Sequence, residues 1–110
     1  MQIAARHSGG GVIFDISGDI DLANSPAMRK TLLGEIKDKR TLKVFLNLKN
    51  VRYIDSSGIA SLVEGLKASR DNGARMILYG LSPSVREVLE LSRLQKIFEI
   101  YDSEEQALTS

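Results

Sequence analysis

Hydrophobic and polar positions along the chain change period several times, and each change marks an element. Val12, Phe14 and Ile16 alternate with Ile13, Asp15 and Ser17, a period of two that predicts a strand with one apolar face and one increasingly polar face. Continuing that period places Asp19 and Asp21 together on the polar side. Met1 to Arg6 is a weaker strand, joined to it by the turn Ser8-Gly9-Gly10-Gly11, so a hairpin is expected. Ser25-Pro26 has the form of an N-cap followed by proline at the first helical position, and Met28, Leu32 and Ile36 then recur at helical spacing. Leu42 to Leu48 predicts a strand covered on both sides, with Val44, Leu46 and Leu48 on one face and Phe45 on the other. Ile59, Leu62, Val63 and Leu66 mark a second helix, ended by Asn72-Gly73. Met76 to Tyr79 is a short strand, and Ser82-Pro83 repeats the capping device before a third helix with Val85, Val88 and Leu89 inward. Phe98 to Tyr101 is a last strand, and Ser103-Glu104-Glu105-Gln106 has the form of a capping box that opens a short terminal helix. Strand and helix alternate from Val12 onward, which predicts an α/β fold with right-handed crossovers into a largely parallel sheet.

Composition narrows what such a domain does. With 110 residues, 43% hydrophobic and 26% charged, the chain has material for one core, so residues 1–110 are expected to form a single domain. Fifteen basic and fourteen acidic residues leave a net charge of +1, with no concentrated basic face to suggest nucleic acid as a partner. The absence of cysteine removes disulfides, thiolate metal sites and thiol nucleophiles. No apolar run approaches the roughly 20 residues of a membrane span, and Met1 to Gly11 lacks a signal-peptide core, so a cytoplasmic protein without a membrane role is expected.

The most informative segment is Asp55-Ser56-Ser57-Gly58, at the junction between a strand and a helix. In an open α/β sheet, sites lie beyond the C-terminal ends of the strands, which is where Asp19, Asp21 and Asp55 to Gly58 fall. A helix start has unpaired N–H groups and partial positive charge, both favourable to an anion. Three uses of the serines are open: nucleophile, phosphate acceptor or helix cap. Nucleophilic catalysis needs an adjacent base, but the lone histidine, His7, lies in the first strand and no Gly-x-Ser-x-Gly elbow is present. Metal-assisted phosphorylation of Asp55, as in receiver domains, needs a lysine after the last strand, where Tyr101-Asp102-Ser103 stands instead. Gly9 to Gly11 lacks the Lys-Ser/Thr of a phosphate loop. No enzymatic activity is therefore expected. Ser57 suits the helix cap, and Gly58, without a side chain, suits the close approach of a partner. A phosphate on Ser56 would add about −1.5 to −2 charges beside Asp55, near the expected position of Asp19 and Asp21. The helix start offsets that by about 0.3 to 1 kcal/mol, so folding is expected to survive while a docked partner would be repelled.

Ser17-Gly18-Asp19-Ile20-Asp21, Leu42 to Tyr53 leading into Ile54-Asp55-Ser56-Ser57-Gly58, and Gly80-Leu81-Ser82-Pro83-Ser84-Val85 before Leu94 and Phe98 together resemble the STAS domain family, within it the free-standing bacterial anti-sigma factor antagonists. The resemblance runs nearly end to end. It implies the STAS fold: a central mixed, mostly parallel sheet of about five strands, about four helices packed against it, and the N-terminal hairpin strand at the edge. It also implies a partner-switching role. The unphosphorylated protein would bind an anti-sigma factor that is also a serine kinase and so release the sigma factor; phosphorylation of Ser56 would end the binding, and a phosphatase would restore it. ATP and Mg²⁺ would belong to the kinase, with no cofactor of this chain's own. The implied partner-binding surface comprises Asp19, Asp21, Asp55, Ser56, Ser57, Gly58 and Ile59. The family also contains non-catalytic scaffold subunits of stressosome-like or lipid-transport complexes, in which Ser56 would be only a cap. One departure from the family pattern is Arg93, which stands where many relatives have glycine.

Overall fold

The computed structural model describes residues 1–110, and its sheet follows chain order, β1-β2-β3-β4-β5. β1 (Gln2–Ser8) and β2 (Gly11–Ile20) form the expected antiparallel hairpin. Ser8 pairs with Gly11, leaving Gly9 at φ +54° and Gly10 at φ +81° as a two-residue loop. Two consecutive left-handed residues are what a type I′ turn demands, which accounts for the glycines without any phosphate. β3 (Lys43–Ile54), β4 (Arg75–Tyr79) and β5 (Glu99–Tyr101) then add in parallel.

Three helices make the crossovers: α1 (Ser25–Leu33), α2 (Ser56–Asp71) and α3 (Pro83–Leu91). Right-handed crossovers between sequential neighbours put all three on one face of the sheet. There Met28, Leu32, Ile59, Leu62, Leu66, Val85 and Leu89 pack against Val12, Phe14, Ile16, Val44, Leu46, Leu48 and Leu78 in one apolar cluster. The opposite face carries a smaller cluster, Ile13, Phe45, Ile77 and Tyr79, covered by Ala107 of α4 (Glu104–Leu108). Beside it Arg6 donates to Asp15 at 2.5 Å and to Glu104 at 2.6 Å, and the Tyr79 hydroxyl donates to Glu104 at 2.6 Å. The Arg6 guanidinium holds the Asp15 and Glu104 carboxyls below the usual carboxylate range, and burial pushes the Tyr79 phenol up. No helix is long and apolar enough to cross a membrane.

The structure departs from the sequence expectation at three element boundaries. Ser25 is not the cap of α1: Asn24 holds that position, with no side-chain capping bond, while Ser25 is the first helical residue and is buried. The turn is built by Asp21, whose backbone carbonyl accepts from the Asn24 and Ser25 N–H groups, so the burial of Ser25 sets the boundary rather than its hydroxyl. β3 continues past Leu48 to Ile54, because beyond Asn47 it pairs with β2 alone and polar residues such as Lys49 and Asn50 are tolerated on that free edge. α1 runs into a π-helical turn, Gly34–Asp38, where the buried Glu35 carboxylate accepts the Thr41 hydroxyl.

The capping predictions downstream agree with the structure. Ser82 Oγ accepts from Val85 N–H, and Ser103 with Gln106 forms a reciprocal capping box. α3 ends with Arg93 in the left-handed region at φ +58°, with Arg93 N–H donating to the Glu90 carbonyl at 3.0 Å and Leu94 N–H to the Leu89 carbonyl at 2.9 Å. This pair of bonds is the Schellman arrangement, whose left-handed position glycine fills at least cost.

Candidate functional site

The extended part of β3 matters because it carries the chain to the C-terminal end of β2, where Ile20 pairs with Ile54. At that corner Asp55 N–H donates to the Ile20 carbonyl at 3.2 Å, and the next residue begins α2. The helix start therefore sits against the β2–α1 connection, which contains Asp21 and Leu22.

Asp55 is the N-cap of α2; Ser57 is not. Asp55 Oδ1 accepts Ser57 N–H at 3.0 Å, Gly58 N–H at 3.1 Å and the Ser57 hydroxyl at 2.5 Å. Oδ2 accepts Leu22 N–H at 3.1 Å, tying the helix start to the β2–α1 connection. A carboxylate outcompetes serine here because it accepts several bonds at once and is favoured by the helix dipole. The Ser57 hydroxyl is the largest cause of an Asp55 carboxyl held below the usual range, opposed by desolvation and reinforced by the backbone N–H groups of Gly58, Leu22 and Ser57.

Ser56 is in a different state from its neighbour. It is the first helical residue, exposed, and its hydroxyl makes no hydrogen bond within the chain, whereas Ser57 is half-buried and tied to Asp55. Gly58 and Ile59 face inward. A Cβ at Gly58 would meet the Ile20 carbonyl oxygen at 2.6 Å, Ile54 Cγ1 at 2.7 Å and Ile20 Cγ2 at 2.8 Å. The clearance expected for a partner is thus filled by the chain's own sheet, and the glycine serves helix–sheet contact. Ile59 is buried in the main cluster.

Asp19 and Asp21 reach the same end of the sheet but do separate things. Asp19 lies 3.6 Å from the Arg52 guanidinium, and Asp21 Oδ1 accepts Asn24 N–H at 3.0 Å. Asp19, Asp21 and Asp55 do not converge as a group that would hold a metal ion. Around them the structure adds two residues that the sequence pattern missed: Leu22 and Tyr53, 76% and 51% exposed, lie at this same end of the sheet, Tyr53 paired in register with Asp19. Leu22 continues the even-numbered apolar period of Ile16 and Ile20, so period alone turns it inward; it is exposed because β2 ends at Ile20 and Leu22 lies in the connection beyond it. Tyr53 was hidden by its place in a strand run, because the register shift at Gly18/Asp19 decides which way such residues face.

Comparison with known proteins places this geometry among relatives. Residues 2–107 match the STAS domain family. The chain is 33% identical over 109 residues to the anti-sigma F factor antagonist of Paenibacillus polymyxa, covering 99% of this chain and 93% of that protein. It is 26% identical over 90 residues to the anti-sigma-B factor antagonist of Staphylococcus aureus, covering 82% of each. Among solved structures, a Thermotoga maritima protein assigned as an anti-sigma factor antagonist superposes with a TM-score of 0.91 at 27% identity, over 97% of this chain and 92% of that one.

Proposed function

The chain belongs to the STAS domain family, and from that premise we propose that it is an anti-sigma factor antagonist working by partner switching. In the unphosphorylated form the surface around Ser56, with Asp19, Asp21, Leu22 and Tyr53, binds an anti-sigma factor that is also a serine kinase, and the sigma factor is released. The kinase, using its own ATP and Mg²⁺, transfers a phosphoryl group to Ser56 and the complex ends. A phosphatase returns the protein to its binding form.

The observation that carries this reading is the contrast at the helix start: Ser56 presents an exposed hydroxyl with no internal partner, while the Ser57 hydroxyl, the Ser57 and Gly58 N–H groups and both Asp55 carboxylate oxygens are engaged within the chain. Phosphate there meets the α2 N-terminus, which favours it by about 0.3 to 1 kcal/mol, so the fold tolerates it. A partner packed on Leu22 and Tyr53 instead faces a new anion of about −1.5 to −2 charges. Desolvating that anion against an unsuited surface costs several kcal/mol, and about 3 kcal/mol is already more than a hundredfold in affinity.

The test is to recover the binding partners of wild type, Ser56→Ala and Ser56→Asp from the native host and to measure their affinities. Ser56→Ala is expected to bind an anti-sigma factor constitutively and Ser56→Asp to fold normally yet bind at least tenfold more weakly. Equal affinity of the two variants, with no phosphate at Ser56 of the native protein, would instead mark a scaffold subunit in which the electrostatic switch plays no part.

A further inference from the structure

Ser56 and Ser57 offer the same functional group one residue apart, so some feature must decide between them. Exposure contributes, but the sharper difference lies in the hydroxyls: Ser57 Oγ donates to Asp55 Oδ1 at 2.5 Å and Ser56 Oγ donates to nothing within the chain. We propose that Asp55 is the specificity-determining residue of this site, a lock that withholds Ser57 from phosphoryl transfer and confines modification to Ser56. The inference rests on the reading of Ser56 as a kinase substrate.

The chemistry of the transfer explains why the lock works. The attacking serine oxygen forms a bond to the γ-phosphorus of ATP, the bond from that phosphorus to the ADP oxygen breaks, and the serine proton passes to a base of the kinase. Ser56 can offer both its lone pairs and its proton. Ser57 begins with its proton committed to Asp55, and its oxygen stands beside a carboxylate that repels the incoming phosphate. Giving up a charge-assisted hydrogen bond of this kind costs about tenfold to a hundredfold in the population of reactive hydroxyl.

The same contact does not activate Ser57. A carboxylate that served as its base would have to take the proton, yet Asp55 also accepts the N–H groups of Ser57, Gly58 and Leu22, and these donors stabilise its ionised form. Leu22 N–H, 33 residues earlier in the chain, reaches Oδ2 at 3.1 Å and fixes the carboxylate from the side opposite the serine. The lock is therefore held by the β2–α1 connection as well as by α2 itself, and none of its four bonds uses an atom of Ser56.

The experiment maps phosphate by mass spectrometry on protein expressed in the native host as wild type, Ser56→Ala, Asp55→Gly and the double variant Asp55→Gly/Ser56→Ala. Glycine is chosen because it is close to aspartate as a helix N-cap, and Asp55→Ala repeats the comparison with a weaker cap. Wild type is expected to carry phosphate on Ser56 alone and Ser56→Ala to carry none; in Asp55→Gly the ratio of Ser57 to Ser56 phosphate should rise at least tenfold over wild type, whatever the total, and the double variant should carry phosphate on Ser57 at least tenfold above the background of Ser56→Ala. Phosphate on Ser57 in Ser56→Ala overturns the lock. So does a double variant without phosphate when Asp55→Gly retains it on Ser56, and so does an Asp55→Gly protein that is phosphorylated nowhere, which would assign Asp55 to kinase recognition. Wild type without phosphate would instead sink the reading of Ser56, and the lock is then judged by proton exchange. The Ser57 hydroxyl proton should exchange slowly in wild type and rapidly in Asp55→Gly; rapid exchange in both removes the lock whatever the kinase does.

Discussion

Gly58→Ala separates two uses of the same glycine, and its effect can be worked from three distances. A Cβ placed there would lie 2.6 Å from the Ile20 carbonyl oxygen, 2.7 Å from Ile54 Cγ1 and 2.8 Å from Ile20 Cγ2. Ordinary carbon contacts begin near about 3.5 Å, so all three neighbours must move. The first is main chain and has no rotamer to escape into; it also accepts Asp55 N–H, so displacing it strains the entry to α2. Overpacking of this kind costs about 1–3 kcal/mol, against at most about 1 kcal/mol gained from the better helix propensity of alanine. Three contacts under 3 Å, one of them to main chain, put this site at about 2–3 kcal/mol of that cost, so the net loss is about 1–2 kcal/mol. With an unfolding entropy of about 2.1 cal/mol/K per residue, this lowers the midpoint of a 110-residue chain by about 4–9 °C. Circular dichroism melts of the purified variant and wild type measure it. A glycine kept as clearance for a docking partner would leave the melting temperature unchanged or raised and weaken only partner binding, and that result would refute the packing argument.

Two further predictions follow from the same geometry. Arg93→Gly relieves a non-glycine residue at φ +58°, a cost of about 1–2 kcal/mol partly offset by the greater freedom of glycine in the unfolded chain, so a gain of about 0.5–1 kcal/mol in urea unfolding is expected; a loss would show that the Arg93 side chain contributes more than its backbone costs. Because the folded Asp55 carboxyl titrates below its unfolded value of about 3.9, its bonds contribute stability above that pH that is lost as pH falls through the folded value, and Asp55→Gly should flatten the acid limb of a stability–pH curve from about pH 4 downward; parallel limbs for the two proteins would contradict the assignment of those bonds.

Where hydrophobic period and capping chemistry act locally, the sequence alone was sufficient. Alternation in Val12 to Ser17, the recurrence of Met28 and Leu32 and the Ser82-Pro83 cap each report constraints satisfied within a few residues, and the elements they predict are present, with only Ile36 passing into the π-helical turn that follows α1. The Ser103 capping box and the hairpin glycines belong to the same class. The strand-to-helix junction at Asp55 to Gly58 was legible too, although period ended the strand at Leu48 and pairing with β2 carries it to Ile54.

The division of labour inside that tetrapeptide was a tertiary decision. Serine and aspartate both cap helices, and nothing local told which of Asp55, Ser56 and Ser57 takes the role. It is settled by the Ile20 carbonyl, which fixes Asp55 N–H, and by Leu22 N–H, which occupies the second carboxylate oxygen from a loop far along the chain. Gly58 likewise looked outward in sequence because a missing side chain says only that something is close; which surface is close depends on how α2 lies over β2 and β3. Periodicity fixes which face of an element is apolar, but contacts between elements distant in sequence decide which hydroxyl is left free, and at this site that hydroxyl belongs to Ser56.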